Sequence, residues 1–209
     1  LDRQELQAAA AGDLTLVLHQ PYQVQLLEQT RLARPVGCWL KVDTGMNRLG
    51  IAPDEVGKLF RTLCDMSNIK GPPGLMTHLA KADQSQDDYN GLQLRRFAPL
   101  VEASGGEYSI ANSAALLRMP RSHGDWNRPG LMLYGVSPFA DCTGGQLGLK
   151  PVMHFTAPLI AVKQLSKGDR VGYGGTWQAP CDMSFGVIGA GYGDGYPREV
   201  SGKPQVLLC

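Results

Sequence analysis

The chain contains 209 residues, 43% of them hydrophobic, and its formal net charge at pH 7 is +1. A chain of this length buries enough apolar surface for one or two domains. The near-neutral charge argues against nucleic acid as a partner, because nucleic-acid-binding domains present a strongly basic face. No segment has the roughly 20 apolar residues of a membrane helix, and the charged start at residues 1–5 has no signal-peptide core. We therefore expect a cytoplasmic protein that binds neither nucleic acid nor membranes.

Strand-like and helix-like segments alternate at short intervals along the first part of the chain. The predicted elements, in chain order, are a strand at 14–18, a helix at 22–32, a strand at 36–42, a helix at 53–63, a strand at 74–78, a helix at 92–103, a strand at 107–110, a helix at 114–118 and a strand at 128–134. The strands are continuous apolar runs, as is typical of parallel strands. The alternation predicts a parallel sheet with crossover helices. A (β/α)8 barrel and an open doubly wound sheet both fit this pattern.

The pattern changes near residues 144–151, beyond which no helix is predicted. Predicted strands at 155–162, 171–177, 185–190 and 205–208 are separated by turns rich in Gly, Pro and Asp. We therefore divide the chain into an α/β domain, residues 1–149, and an all-β domain, residues 150–209.

Polar side chains follow the predicted parallel strands where each strand ends. In parallel α/β folds, ligands bind at these carboxyl ends. The cations, hydroxyls and amides found there favour an anionic ligand such as a phosphate ester, and Ser113 lies at a helix start suited to phosphate. The set comprises Lys41, Asp43, Thr44, Gly45, Arg48, His78, Lys81, Asn112, Ser113, Arg128 and Gly130.

Each of these residues also has a purely structural interpretation. Lys41 could point to solvent from an edge strand, and His78 could be a hydrogen-bonded structural histidine. Asn112 and Ser113 could only cap a helix, and Arg128 could be a surface cation. Their repeated occurrence after strands favours a shared site. The histidines and the five cysteines show no metal-ligand spacing, so we expect no metal.

Six segments occur in an order that matches one known family. They are Lys-Val-Asp-Thr-Gly-Met-Asn-Arg-Leu-Gly at 41–50, Thr-His-Leu-Ala-Lys-Ala-Asp at 77–83, Ala-Asn-Ser-Ala-Ala at 111–115, Arg-Pro-Gly-Leu-Met-Leu-Tyr-Gly at 128–135, Val-Gly-Tyr-Gly-Gly at 171–175 and Gly-Tyr-Gly-Asp-Gly-Tyr-Pro-Arg at 191–198. Together they resemble the alanine racemases. The resemblance implies a partial (β/α)8 barrel followed by a partial β domain in a homodimer. It also implies pyridoxal 5'-phosphate as cofactor, alanine as substrate, and D-alanine supplied for peptidoglycan.

The resemblance also implies roles for residues of the first domain. Arg128 would hydrogen-bond the pyridine nitrogen of the cofactor, and His78 would support both Arg128 and the catalytic tyrosine through a polar network. Ser113, in the turn that begins with Ala111-Asn112, would hold the phosphate with the backbone amides of Gly130 and Leu131.

Three further residues receive roles by the same resemblance. Arg48 would contact the phenolic oxygen of the cofactor and the carboxylate of the substrate. Lys41 matches a position that is often carbamylated, and the resulting anion would orient Arg48. Tyr192 would be the second catalytic base, reaching the active site of the partner subunit. The glycine-rich segment around Tyr192 does not have the Gly-x-Gly-x-x-Gly spacing of a nucleotide-binding loop. Judged from its residues alone, it is interpreted as a tight turn.

The largest departure from the family pattern concerns the lysine that carries the cofactor. The Lys-Ala-Asn-Ala-Tyr-Gly-His-Gly segment that holds it is not present in these 209 residues. About 150 residues precede the β part, against roughly 250 for a full barrel. We therefore expect an internal portion of a family member that does not racemise alanine by itself. Two alternatives stay open: a broad-specificity amino-acid racemase on the same fold, or a non-catalytic fragment that retains the phosphate cradle.

Overall fold

The computed structural model describes residues 1–84 and 87–197, and the chain divides into two compact units. The first unit is Leu1–Val152 and the second begins at Met153. The first is built from parallel strands and helices, whereas the described part of the second has strands and short 3-10 helices but no α-helix. No helix within the described ranges is long and apolar enough to cross a membrane.

Among its described residues, the first unit has four strands and five α-helices. The strands are β1 (Leu16–Leu18), β2 (Cys38–Lys41), β3 (Gly74–Met76) and β4 (Tyr108–Ser109), and the helices are α1 (Arg3–Gly12), α2 (Pro21–Glu28), α3 (Pro53–Cys64), α4 (Tyr89–Ser104) and α5 (Ser113–Arg118). Local sequence explains where several helices begin. Asp2 and Glu5 form a capping box at the start of α1. Pro53 occupies the first turn of α3, where it displaces no hydrogen bond.

The four strands form one sheet in the order β1-β2-β3-β4, with every neighbouring pair parallel. Each strand lies beside the one before it, so the strand order never reverses as it does in a doubly wound sheet. In β2, Cys38 and Leu40 are buried while Trp39 and Lys41 are only half-buried. Helices therefore cover one face of the sheet, as in a (β/α)8 barrel, and the other face lines what would be the barrel interior.

The core lies between the helices and the covered face of the sheet. It joins apolar side chains from the parallel strands, the helices and the loops between them, and the largest fully buried ones include Leu6, Leu18, Leu27, Leu40, Ile51, Leu63, Leu75, Leu79 and Phe97. On the opposite face the Trp39 ring lies directly over Gly74, and any Cβ at Gly74 would collide with that ring. A glycine is therefore required beneath the indole.

The first four predicted strands are confirmed, although the observed strands are shorter. The prediction of a strand at 128–134 is wrong. Trp126 pairs with Ser109 in a parallel bridge, and the Arg128 amide donates to the Ala111 carbonyl, so the chain begins as an extended segment beside β4. Pro129 has no amide hydrogen with which to continue the ladder. A 3-10 helix, Leu131–Tyr134, follows instead.

The described part of the second unit contains two antiparallel strand pairs. The strands are β5 (Leu159–Leu165), β6 (Arg170–Val171), β7 (Trp177–Gln178) and β8 (Met183–Ile188), with β5 paired to β8 and β6 to β7. The rings of Trp177 and Phe185 lie 6.2 Å apart and connect the two pairs. The all-β character expected for this part of the chain is confirmed among the described residues.

Strand positions in the second unit match the predictions less closely. A continuous strand at 171–177 is wrong: β6 and β7 pair with each other across a 3-10 turn, Tyr173–Gly175. Gly172, Gly174 and Gly175 all adopt positive φ angles, which a strand cannot accommodate. The strand predicted at 155–162 begins later, at Leu159, and the one at 185–190 lies at 183–188. The strand predicted at 205–208 lies outside the described residues.

Candidate active site

Four basic side chains meet at the carboxyl end of the parallel sheet, and they are called the basic cluster below: Lys41, Arg48, His78 and Arg128. Lys41 ends β2, and His78 lies two residues beyond β3. Arg128 approaches His78 directly, and both arginines repel a proton on Lys41 and on His78. The structure therefore brings together four residues that the sequence analysis had placed at separate strand ends.

The Arg128 guanidinium spans the ends of β3 and β4. Its Nη2 donates to the Thr77 carbonyl at 2.6 Å and to the Ile110 carbonyl at 3.3 Å. Its Nη1 donates to the Ser109 hydroxyl, which in turn donates to the Trp126 carbonyl at 2.7 Å. Burial lowers the pKa of Arg128, although a guanidinium stays charged in proteins. The side chain is thus a fixed cation rather than a mobile surface arginine.

His78 is held in its neutral form by its surroundings. Burial first, and then the positive charges of Arg128, Lys41 and Arg48, lower its pKa to about 4. The Nδ1 atom lies 3.4 Å from Arg128 Nη2, and because a guanidinium can only donate, Nδ1 is the acceptor. His78 therefore adds a polar contact for Arg128 without adding another charge.

Lys41 is also shifted toward its neutral form. Burial, followed by the charges of Arg48 and Arg128, lowers its pKa, and Asp43 opposes the shift. The lysine lies on the uncovered face of β2, the face that would line a barrel interior. The lowered pKa raises the fraction of free amine, which is the nucleophilic form of a lysine.

Arg48 lies on a closed loop, residues 43–50. The neck of the loop is a pair of backbone hydrogen bonds: Asp43 N–H donates to the Ile51 carbonyl at 2.9 Å, and Ile51 N–H donates to the Lys41 carbonyl at 2.8 Å. Asp43 Oδ1 accepts from the amides of Gly45 and Asn47, at 2.9 and 3.0 Å. The loop therefore returns the chain to the end of β2 and keeps Arg48 beside Lys41.

A second group of polar atoms lies where α5 begins. The Ser113 hydroxyl oxygen accepts from the Gly130 amide at 2.9 Å and from the Met132 amide at 3.3 Å. These two contacts fix the Ser113 side chain. That Ser113 and the amides of Gly130 and Leu131 hold a phosphate stays a prediction. Asn112 Oδ1 accepts from the Ala115 amide at 3.0 Å, so Asn112 caps the helix. Because its oxygen already accepts two hydrogen bonds, the Ser113 hydroxyl can still donate its own proton to an oxyanion.

Two exposed tyrosines lie in glycine-flanked 3-10 turns of the second unit. Tyr192 has 72% of its surface exposed, and its turn is closed by the Gly191 amide, which donates to Asp194 Oδ2 at 3.0 Å. Tyr173 is fully exposed, at 101%. Sequence reasoning gave Tyr173 no role, although it stands between glycines in one of the six matching segments. The glycines on both sides of Tyr173 are the sequence feature that could have indicated an exposed aromatic side chain in a tight turn.

No three His, Cys, Asp or Glu side chains in the described ranges are grouped closely enough to hold a metal ion. The functional groups of the first unit are instead those of the basic cluster and the Ser113 hydroxyl. Such an arrangement is suited to an anion with several oxygens, and the pKa of Lys41 within it is lowered.

The chain thus has a (β/α)-barrel segment with basic side chains at its strand ends, and a β unit follows that segment. Its class is that of proteins that combine a (β/α) barrel with a β domain. The chain matches the family model "Alanine racemase, N-terminal domain" over residues 1–138 and "Alanine racemase, C-terminal domain" over residues 152–209. The chain therefore belongs to the alanine racemase family.

Relatives and solved structures agree with this assignment. The chain is 50% identical over 207 residues to an alanine racemase from Nitrosococcus oceani, covering 99% of this chain and 58% of the relative, and 49% identical over 201 residues to one from Halorhodospira halophila, covering 96% and 55%. The crystal structure of the biosynthetic alanine racemase from Pseudomonas aeruginosa superposes with a TM-score of 0.90 at 37% identity, over 96% of this chain and 56% of that one. The chain thus spans little more than half the length of these relatives. The partial barrel followed by a β domain is confirmed.

The neutral state of His78 can be tested by NMR in the protein without added cofactor. We expect His78 to stay neutral until the pH falls to about 4, whereas an unperturbed histidine titrates near 6.5. Because the unfolded chain takes up this proton first, the folded state should lose stability relative to the unfolded state as the pH falls from 6.5 toward 4. Isotope-labelled histidine and a His78→Gln variant for assignment provide the measurement. A midpoint near 6.5 would contradict the described environment.

Proposed function

We propose that the protein is an alanine racemase: it binds pyridoxal 5'-phosphate and interconverts L- and D-alanine, supplying D-alanine for peptidoglycan. The observation that carries the proposal is the basic cluster together with the Ser113 hydroxyl, both at the strand ends of a barrel segment in a chain that belongs to this family. The site in this chain is composed of groups that bind and orient a ligand, and Lys41 lies within it with a lowered pKa.

The donor set fits pyridoxal phosphate. The Ser113 hydroxyl offers a donor that a phosphate accepts, and the amides of Gly130 and Met132 fix its oxygen. Asn112 fixes the start of α5 and so the position of Ser113. The solved alanine racemase of Bartonella henselae carries covalently bound pyridoxal phosphate. That structure shares only 24% identity with this chain, so the donor atoms described here carry the argument. When bound, the cofactor supplies an electron sink for negative charge at the Cα of an amino acid.

Arg128 would face the ring nitrogen of the cofactor. Its guanidinium is held by the Thr77 and Ile110 carbonyls and by Ser109, so its position is set before any ligand arrives. A permanently charged donor cannot act as the acidic partner that would keep this nitrogen protonated. Neutral His78 accepts from Arg128 and adds no competing charge. We infer that the pair tunes the strength of the electron sink.

Lys41 would be carbamylated and would orient Arg48. The free amine adds to carbon dioxide, the new bond joins Nζ to carbon, and one proton is released. The lowered pKa of Lys41 favours the amine that this step requires. The product is an anion beside Arg48 and Arg128, where a cation had been unfavourable. Arg48 would then be held toward the phenolic oxygen of the cofactor and the carboxylate of the substrate.

The second catalytic base would be a tyrosine. In a homodimer, the second unit of the partner subunit would contribute it. The family resemblance assigns this role to Tyr192. Exposure supports Tyr173 more strongly, because a side chain that serves a partner must project from its own subunit and Tyr173 does so completely. An unperturbed tyrosine has a pKa of about 10. The basic cluster of the partner would lower that pKa and allow the tyrosine to accept a proton.

Racemisation is the direct test, made on the complete gene product with pyridoxal phosphate in deuterium oxide. We expect deuterium to enter the Cα of alanine in both enantiomers, because removal and return of that proton is the reaction. Serine and lysine serve as comparison substrates and should turn over far more slowly. Equal turnover of all three would indicate a broad-specificity racemase. Binding of pyridoxal phosphate without exchange at Cα would refute the proposal and favour a non-catalytic binding protein.

The two tyrosines can be separated with Tyr173→Phe and Tyr192→Phe variants. Removing the hydroxyl of the base should lower kcat about a hundredfold or more, which is the range for loss of general acid–base catalysis. Tyr22→Phe, at a half-exposed tyrosine on α2, is the matched control and should keep full activity. The variant with the large loss identifies the base. Full activity in both variants would rule out a tyrosine base from these turns.

Carbamylation of Lys41 can be observed with 13C-labelled bicarbonate. We expect a carbamate carbon signal by NMR that is absent from Lys41→Arg, since arginine does not add carbon dioxide. Lys70→Arg, at an exposed lysine, should retain the signal. An unchanged signal in Lys41→Arg, or no signal in the unmodified protein, would remove Lys41 from this role.

A further inference from the structure

Gln93 on α4 is a completely buried polar side chain at the junction of two site loops, with 0% of its surface exposed. Its Oε1 accepts from the Ala80 amide at 2.8 Å. Its Nε2 donates to the His78 carbonyl at 3.0 Å and to the Thr44 hydroxyl at 3.2 Å. One carboxamide therefore joins the loop after β3, which carries His78, to the loop after β2, which carries Arg48.

The hydrogen bonds beyond Gln93 run in one direction. Because Oε1 accepts from a backbone amide, Nε2 must face the two acceptors. Thr77 donates its hydroxyl proton to the Val42 carbonyl at 2.9 Å. The proton between Thr44 and Thr77, whose hydroxyl oxygens lie 2.8 Å apart, must then come from Thr44. The chain thus runs from Gln93 through Thr44 and Thr77 to Val42, the residue that follows Lys41.

Two more side chains of α4 reach the loop that carries Arg48. Tyr89 donates its hydroxyl proton to the Gly45 carbonyl at 2.7 Å, and Arg96 donates to the Thr44 carbonyl at 3.0 Å. These residues lie four before and three after Gln93, so all three project from one side of the helix. Gly45 adopts a φ of 142°, and a Cβ there would press on the Tyr89 hydroxyl. The loop backbone is therefore shaped to receive α4.

We propose that Gln93 is a positioning residue for the active site. Its buried carboxamide hydrogen-bonds the loop of Arg48 and the loop of His78, and so fixes these two side chains relative to each other. The inference rests on the proposed function, which gives Arg48 its contact with the substrate carboxylate. Gln93 touches neither substrate nor cofactor. Buried polar groups must be hydrogen-bonded, and every hydrogen-bonding group of this side chain is used at the strand ends of the site.

The first test measures backbone hydrogen exchange and does not depend on catalysis. Gln93→Leu keeps the side chain near its original size but removes all three hydrogen bonds. We expect the amides of Gly45, Asn47 and Ala80 to exchange at least tenfold faster. Phe97→Leu is the control, because Phe97 is fully buried on the same helix but belongs to the apolar core. It should loosen the core without a specific increase in the exchange rates of these three amides. Equal protection of the three amides in Gln93→Leu and Phe97→Leu would overturn the proposal.

The second test is kinetic, on the complete gene product. Because Arg48 would be displaced, Gln93→Leu should raise the KM for alanine and lower kcat/KM roughly ten- to a hundredfold, the range for misplaced binding groups. Thr44→Val removes the next hydroxyl and should show the same pattern, whereas Thr44→Ser should retain activity. The Gln93→Leu/Thr44→Val double variant should be no worse than either single variant, because the two side chains act as one unit.

The outcomes separate the two proposals. An inactive unmodified protein would refute the racemase function, and the hydrogen exchange results would still decide the role of Gln93. An active unmodified protein whose Gln93→Leu variant matches Phe97→Leu in KM, kcat and loop protection would refute only the positioning role. Loss of activity in Thr44→Ser as severe as in Thr44→Val would also count against it, since the hydroxyl is retained.

Discussion

The partly buried, hydrogen-bonded guanidinium of Arg128 is the interaction on which the site depends. A charge removed from water is costly unless it is hydrogen-bonded on all sides. Here the backbone carbonyls at the ends of β3 and β4 supply that compensation, through Thr77 and Ile110, together with the Ser109 hydroxyl. The parallel sheet thus stabilises the charged guanidinium, because the ends of neighbouring parallel strands present their carbonyls at one edge.

Burial and the neighbouring cations together set the pKa values of His78 and Lys41. Burial lowers both pKa values most, and the charge of Arg128 lowers both further, with Arg48 acting more strongly than Arg128 on Lys41. On an exposed strand end, water would stabilise the protonated form of either residue. The chemistry expected of both residues therefore follows from their place at partly buried strand ends beside the two arginines.

The sequence was sufficient to locate most of this site. Strand ends can be recognised from apolar runs followed by polar residues, and this reasoning found Lys41, Arg48, His78, Ser113 and Arg128. It failed where a backbone changes course within a few residues. Pro129 ends the extended segment that follows β4, and the glycines around Tyr173 turn a predicted strand into a hairpin. Such turns depend on φ angles that side-chain patterns do not report.

Gln93 shows a different limit of sequence reasoning. A glutamine within a helix is ordinarily a surface residue, and nothing in its neighbours on α4 distinguishes it. It becomes a buried connection only because Thr44, His78 and Ala80 arrive from two loops that are distant in sequence. Long-range contacts of this kind can be identified only in a structure. The contact of the Trp39 ring with Gly74 is of the same kind, because the two residues lie on different strands and no local sequence pattern relates them.

The charge balance of the site explains why an anion belongs there. Within the described ranges, the carboxylate that acts on the pKa values of the basic cluster is Asp43. One of its oxygens already accepts from the amides of Gly45 and Asn47. The effect of Asp43 on the pKa of Lys41 is smaller than those of burial, Arg48 and Arg128, so positive charge prevails there. A phosphate at Ser113 and a carbamate at Lys41 would each place negative charge where the fold has gathered cations. Both would offset the positive charge that now lowers the pKa of His78.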